Sequence, residues 1–149
     1  MKIIVAGSRD LYRPDLVGEM LDEAGWKPTH IISGCARGAD KAGEAWAQEN
    51  GVEVIRMPAD WGKHGRAAGP IRNREMAKIG DALAVIWDGK SRGTANMLEE
   101  ARKRGLPVAT AICGEAGALI VAEPGEDEAR EIVEAIGHAA LNPRDLEEW

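Results

Sequence analysis

The sequence predicts an α/β domain: a three-layer αβα sandwich around a mostly parallel sheet of five to six strands. Two observations carry that prediction. Short β-branched or aliphatic runs alternate with helix-like stripes along the chain, an order that implies a parallel sheet with helices on both faces. The first run, Lys2–Ala6, is also continuously apolar rather than alternating, as a strand buried on both faces is.

The elements follow in order. Lys2–Ala6 reads as the first strand. Pro14 suits the first position of a helix, where its missing N–H costs nothing. Leu16, Val17, Met20, Leu21 and Ala24 follow at helical spacing, and Gly25 closes the helix. His30–Ser33 reads as strand two. Ala39, Ala42, Gly43, Trp46 and Ala47 form a helical stripe with a small-residue face, ended by Asn50-Gly51. Glu53–Met57 is strand three, stopped by Pro58. A long connection from Ala59 to about Ile71 precedes a helix through Met76 and Ile79 to Gly80. Ala82–Trp87 is strand four, with Trp87 read as core. Gly93-Thr94 opens a helix carrying Met97, Leu98 and Ala101 inward, and Gly105 ends it. Pro107–Ile112 is strand five and Ala118–Val121 a short sixth. Pro124-Gly125 and the acids behind it start a last helix, with acids where the helix dipole favours them. Its stripe is Ala129, Ile132, Val133, Ile136 and Ala140, and Asn142–Trp149 reads as a tail.

Composition bounds the function. At 149 residues the expectation is one domain over residues 1–149 with its own core. Phe is absent while there are five Trp, so the core rests on aliphatic residues and a few indoles. Cys35 and Cys113 make neither a disulfide framework nor a four-ligand metal site, and no metal or cofactor is expected. The first ten residues read as a strand rather than a signal segment. No apolar run approaches the ~20 residues that span a bilayer, so the expectation is a cytoplasmic protein away from membranes. The net charge is −6. Residues 115–149 hold ten acidic and two basic side chains, and read as an acidic strand–helix extension. That balance argues against broad nucleic-acid binding, which needs a basic face to displace counterions.

In open parallel sheets, ligands sit beyond the carboxyl ends of the strands, so the loops after the strands are the segments to read. They are Gly7-Ser8-Arg9-Asp10; Ser33 to Asp40, with Gly34, Arg37 and Gly38; Asp60 to Arg74, with Trp61, Arg72 and Asn73; and Asp88 to Thr94, with Ser91, Arg92 and Gly93. All four carry glycine and a cation. Glycine lets backbone N–H groups approach a ligand closely. A helix start offers unpaired N–H groups and a positive dipole end, and Arg adds a planar bidentate donor. The composition points to a phosphate or other anion, with Arg9, Arg37, Arg72 and Arg92 as partners. There is neither a Walker loop nor a G-x-G-x-x-G.

Single residues carry alternatives. Asp88 suits a ribose contact, a general base or a turn. Asp40 suits a helix cap or a ribose contact, and Trp61 suits stacking on a base or packing. Cys35 precedes a helix start, which favours thiolate, but no His/Asp pairing with it is evident. His64 has the chemistry of an acid or base in a Gly-rich loop.

SGCARGAD with its helix (Ser33–Ala47), PADWGKHGRAAGPIRNREM (Pro58–Met76), GSRD and WDGKSRGT together resemble the SLOG superfamily. The likeness covers about residues 1–112 and is nearest to the YspA- and cpYpsA-related branch. It implies a Rossmann-like fold that binds nucleotides or nucleotide-derived molecules, and a homodimer or higher homo-oligomer. It places Gly where Cys35 stands. Related phosphoribohydrolases carry P-G-G-x-G-T-x-x-E after strand four; Gly93-Thr94 match its G-T, and Met97 stands at its carboxylate. Arg72 falls where that branch has its catalytic Arg, before the following helix. Glu99 and Glu100 are near Met97 in sequence but on different helix faces. The first expectation is therefore a sensor, carrier or sequestering protein for a nucleotide-type ligand. The second is a nucleoside 5′-monophosphate phosphoribohydrolase built on Arg72 and Asp88 with Thr94. The third is a single-stranded nucleic-acid-processing protein, disfavoured by charge and by the shortage of exposed aromatics.

Overall fold

A computed structural model describes residues 1–121 and 126–141. One six-stranded sheet forms its centre: β1 (Lys2–Gly7), β2 (His30–Ser33), β3 (Glu53–Arg56), β4 (Ala82–Trp87), β5 (Val108–Gly114) and β6 (Gly117–Val121). The spatial order is β3-β2-β1-β4-β5-β6. The first five strands are parallel, and β6 returns antiparallel along β5. The expected mostly parallel α/β sandwich is the architecture found.

The inner strands β1, β2, β4 and β5 bury both faces, since successive residues point to opposite sides. Ile3, Val5, Ile31, Ala84 and Ile86 face a layer formed by α1 (Pro14–Ala24) and α2 (Ala39–Glu49). Ile4, Ala6, Ile32, Leu83, Val85 and Trp87 face α4 (Ala68–Ile79) and α5 (Arg92–Lys103). From α6 (Glu126–Leu141), Ile132 and Val133 pack against this second layer. The small face of α2 serves close packing: a Cβ on Gly43 would lie 2.7 Å from Cβ of Val5.

Several boundaries differ from the sequence reading. Ala24 is exposed, so the stripe of α1 is one residue shorter than expected, while the helix through Met76 and Ile79 does end at Gly80. The connection after β3 is not a long loop. It holds α3 (Trp61–His64), a 3-10 turn over Gly65–Ala67, and α4, which starts at Ala68. Asp60 caps α3 by accepting from the Lys63 N–H at 3.0 Å. Pro70 is tolerated in the first turn of α4 because the first N–H groups of a helix have no internal partner. α5 starts at Arg92 rather than at Gly93, with Ser91 as its cap. The expected helix start at Pro124-Gly125, the side chains of Ala129, Ile136 and Ala140, and the tail Asn142–Trp149 lie outside the described residues. Among the described residues, no helix is long and apolar enough to cross a membrane.

Candidate functional site

The strand order departs in opposite directions from β1 and β4. β1 feeds α1 on one face of the sheet and β4 feeds α5 on the other, so a crevice opens between them. A cleft of about 560 Å³ lies there. Its walls come from the turns after β1, β2 and β4 and from α3, α4 and α5.

Gly7 and Ser8 build the base of the cleft. The Ser8 N–H donates to the Ile86 carbonyl at 2.9 Å, closing β1 against β4. A Cβ on Gly7, whose φ is +153°, would lie 1.8 Å from that oxygen. The Ser8 carbonyl accepts from Leu11 and Ala39 N–H, both at 3.2 Å, and its hydroxyl accepts from the Asp88 N–H at 3.0 Å. One buried serine thus ties together the turns after β1, β2 and β4. Gly38 holds φ +77°, and a side chain there would strike the Ser8 and Arg9 carbonyls at 2.4 Å.

Asp40 sits in the first turn of α2 and is 5% exposed. It does not cap that helix: Gly38 is the cap residue, and no side chain caps it. Instead Oδ2 of Asp40 accepts from the Ala36 N–H at 3.1 Å, while the residue lines the cleft. Burial pushes its carboxyl up to about 6, against the opposing pull of the Ala36 N–H and of Arg72. Arg72 lies within α4, not before it, and donates from Nη1 to the Gly34 carbonyl and from Nε to Asn73 Oδ1 at 3.0 Å. Burial lowers its pKa, and Asp40 partly restores it. Asn73 reaches α5 through Nδ2, donating to the Gly93 carbonyl at 3.3 Å and Asn96 Oδ1 at 2.8 Å.

Asp88 forms the turn after β4. Its Oδ1 accepts from Lys90 N–H at 2.8 Å and Ser91 N–H at 2.9 Å. Burial raises its pKa, but those two donors and the Ser8 hydroxyl outweigh it, and the carboxyl stays below its ordinary value. Ser91 accepts from the Thr94 N–H at 3.3 Å and from the Thr94 hydroxyl at 2.9 Å. The N–H groups of Arg92 and Gly93 remain without a partner among the described residues, at the positive end of a 12-residue helix. Trp61 stands at the rim, 51% exposed, with its ring edge over Gly69. Arg9, Arg37 and Arg92 line the cleft with exposed side chains.

Thirteen of the sixteen residues singled out as ligand-binding line this cleft; Ser33, Gly34 and Gly38 do not. Ser33 donates to Glu44 Oε2 at 2.8 Å and accepts from the Cys35 N–H at 3.1 Å, which turns it into the packing of α2. Trp87 is core, as expected, and its indole N–H donates to the Ser91 carbonyl at 3.3 Å. His64 is exposed and off the cleft. Met97 is 1% exposed in the cleft wall. Glu100 lies 3.7–3.8 Å from Lys103 and Arg74, and Glu99 lies 3.5 Å from Lys103. Neither glutamate lines the cleft. Sequence reading missed Asn96, which enters the site only through the packing of α5 on α4.

A model of the family described as "YspA, cpYpsA-related SLOG family" matches residues 1–64. The chain is also similar to "Gene 61 protein" of Mycobacterium phage D29. The two are 34% identical over 116 residues, which cover 72% of this chain and 93% of the phage protein.

Proposed function

The chain belongs to the YspA- and cpYpsA-related SLOG family, and on that premise we propose that its cleft binds a nucleotide or nucleotide-derived molecule and retains it rather than turning it over. One observation carries this reading. The N-terminus of α5, with the N–H groups of Arg92 and Gly93 open, faces the cleft together with the guanidinium groups of Arg9 and Arg72. Unpartnered N–H groups at a helix start favour an anion, and Arg supplies a bidentate donor for phosphate. Trp61 at the rim offers a ring face for a base. The carboxylate that related hydrolases carry is replaced by Met97, and Asp88 is ionised and occupied by its own turn.

Thermal-shift measurements with AMP, GMP and cyclic nucleotides test the reading. Stabilisation is expected, since a ligand at 100 times its dissociation constant adds about 2.7 kcal/mol. No shift with any of them refutes it.

A second reading, hydrolysis of the N-glycosidic bond of a nucleoside monophosphate, is favoured by one feature. The raised carboxyl of Asp40 beside Arg72 is suited to giving or taking a proton near neutral pH. Release of free base from AMP, abolished by Asp40→Asn, supports it. Binding without release leaves the first reading in place.

A further inference from the structure

A second cavity of about 450 Å³ adjoins the cleft, between the turn after β2 and the start of α3. Gly34, Cys35, Pro58 and Ala59 line it, apart from what it shares with the cleft. The shared wall consists of Arg9, Ala36, Arg37, Trp61 and Arg72. Three guanidinium groups therefore stand between the two lobes, while the outer end of the second lobe carries no charged side chain.

Two of these cations are not consumed by the fold, whereas Arg72 also clamps the Gly34 carbonyl and holds Asn73. Arg9 makes no ion pair among the described residues, and Arg37 has only Asp10 at 3.6 Å, both of them well exposed. Arg9 also lies close enough to Arg72 to oppose its charge. Two like charges held near each other at the junction of two cavities match an anion seated between them. Each lobe alone falls within the about 300–1,000 Å³ typical of small-molecule sites.

We infer that the ligand is two-headed: a dinucleoside diphosphate type of molecule, its diphosphate on the shared arginines and one nucleoside in each lobe. This rests on the nucleotide-binding reading above and names the class of ligand for the same site. Trp61 belongs to both lobes and provides the aromatic face at the junction.

Calorimetric titration of the full chain with AMP, ADP and diadenosine diphosphate, and with the guanosine counterparts, tests it. The two-headed compound of one base series is expected to bind at least tenfold more tightly than its nucleoside diphosphate. Ala59→Trp plugs the second lobe from a position that does not line the main cleft. It is expected to reduce that affinity to the level of the diphosphate, with a far-UV spectrum and melting curve showing the variant folded. If Ala59→Trp does not fold, Ala59→Leu makes the same test with a smaller plug. Equal affinity for the two-headed compound and the diphosphate, or an increment that survives the plug, overturns the inference and leaves nucleotide binding standing. Binding of none of the compounds overturns both.

Discussion

Arg72 donates from Nη1 to the carbonyl of Gly34, 38 positions earlier in the chain. That bond joins α4, on one face of the sheet, to the turn that leads into α2 on the other. A Cβ at Gly34 would lie 2.5 Å from Arg72 Nη1 and 2.9 Å from Asp40 Oδ2, so a side chain there would displace these two groups. The guanidinium is at once part of the cleft wall and a clamp on the turn it faces.

Arg72→Ala should therefore cost both stability and binding. It leaves the Gly34 carbonyl without this donor, a loss of about 1–3 kcal/mol when such a group stays buried, and removes a cation from the shared wall. Urea unfolding should show the first effect. Titration with a nucleoside monophosphate should show at least tenfold weaker binding. Arg72→Lys should restore part of the binding, as a point charge, but not the paired bonds to Gly34 and Asn73. Unchanged affinity in the Ala variant removes Arg72 from the site.

Asp40 gives the protein a pH dependence of known sign. Its folded pKa, about 6, lies above the ordinary carboxyl value of 3.8, chiefly through burial. The protonated form is thus the one the fold prefers. The associated stability is fully present below the unfolded pKa and is lost as pH rises through about 6. At about 1.4 kcal/mol per pKa unit, the penalty above pH 7 is of the order of 3 kcal/mol. Around it lie Arg72, Lys41 and Glu44, with the two cations opposing the shift and Glu44 adding to it. Asp40→Asn keeps an oxygen for the Ala36 N–H and cannot ionise. Its stability relative to the parent should rise between pH 4 and pH 8, measured by urea titration at each pH. A flat difference across that range contradicts the assignment.

Gly7→Ala should be among the most damaging single changes. The added Cβ would meet the Ile86 carbonyl at 1.8 Å and Ala39 Cβ at 2.9 Å, with φ at +153°. The bond from Ser8 N–H to that carbonyl closes the β1–β4 junction, so relief of the clash opens the base of the cleft. Loss of more than about 3 kcal/mol is expected, from strain plus a broken buried bond. A variant with parental midpoint in urea would show that the junction has slack it does not display.

The sheet was legible because short aliphatic runs alternate with helical stripes; β2 ends just before Gly34 and β4 just before Asp88. The stretch from Asp60 to Arg74 was not, because Gly62, Gly65, Gly69 and Pro70 read as loop residues. Its helices are held by tertiary contact, with Trp61 on Gly69 and Met76 and Ala77 in the second core layer, rather than by propensity. The site shows the same division. Glycines and arginines mark the loops, since close approach and charge are properties of residue type. Whether Ser33 faces a ligand or Glu44, and whether Asp40 caps a helix or reaches back to Ala36, depends on which partner the fold brings near.

Cys35 is the one non-glycine residue with positive φ among the described residues, at +65°. It stands where the resemblance places glycine, and the backbone gives the reason. A side chain in the left-handed region costs roughly 1–2 kcal/mol. The turn holds it there through its N–H, which donates to Ser33 Oγ at 3.1 Å. Cys35→Gly removes that cost, while the looser unfolded chain takes back about 0.5–1 kcal/mol. The expected net effect is unchanged to slightly higher stability. Cys35→Val, stiff at χ1, should lose about 2 kcal/mol by the same reasoning. Among the described residues the thiol's hydrogen-bond partner is the Ser33 carbonyl, at 3.7 Å. Cys35→Gly should then bind nucleoside monophosphates as tightly as the parent. A folded Gly variant that has lost binding would assign the thiol a role in the cleft.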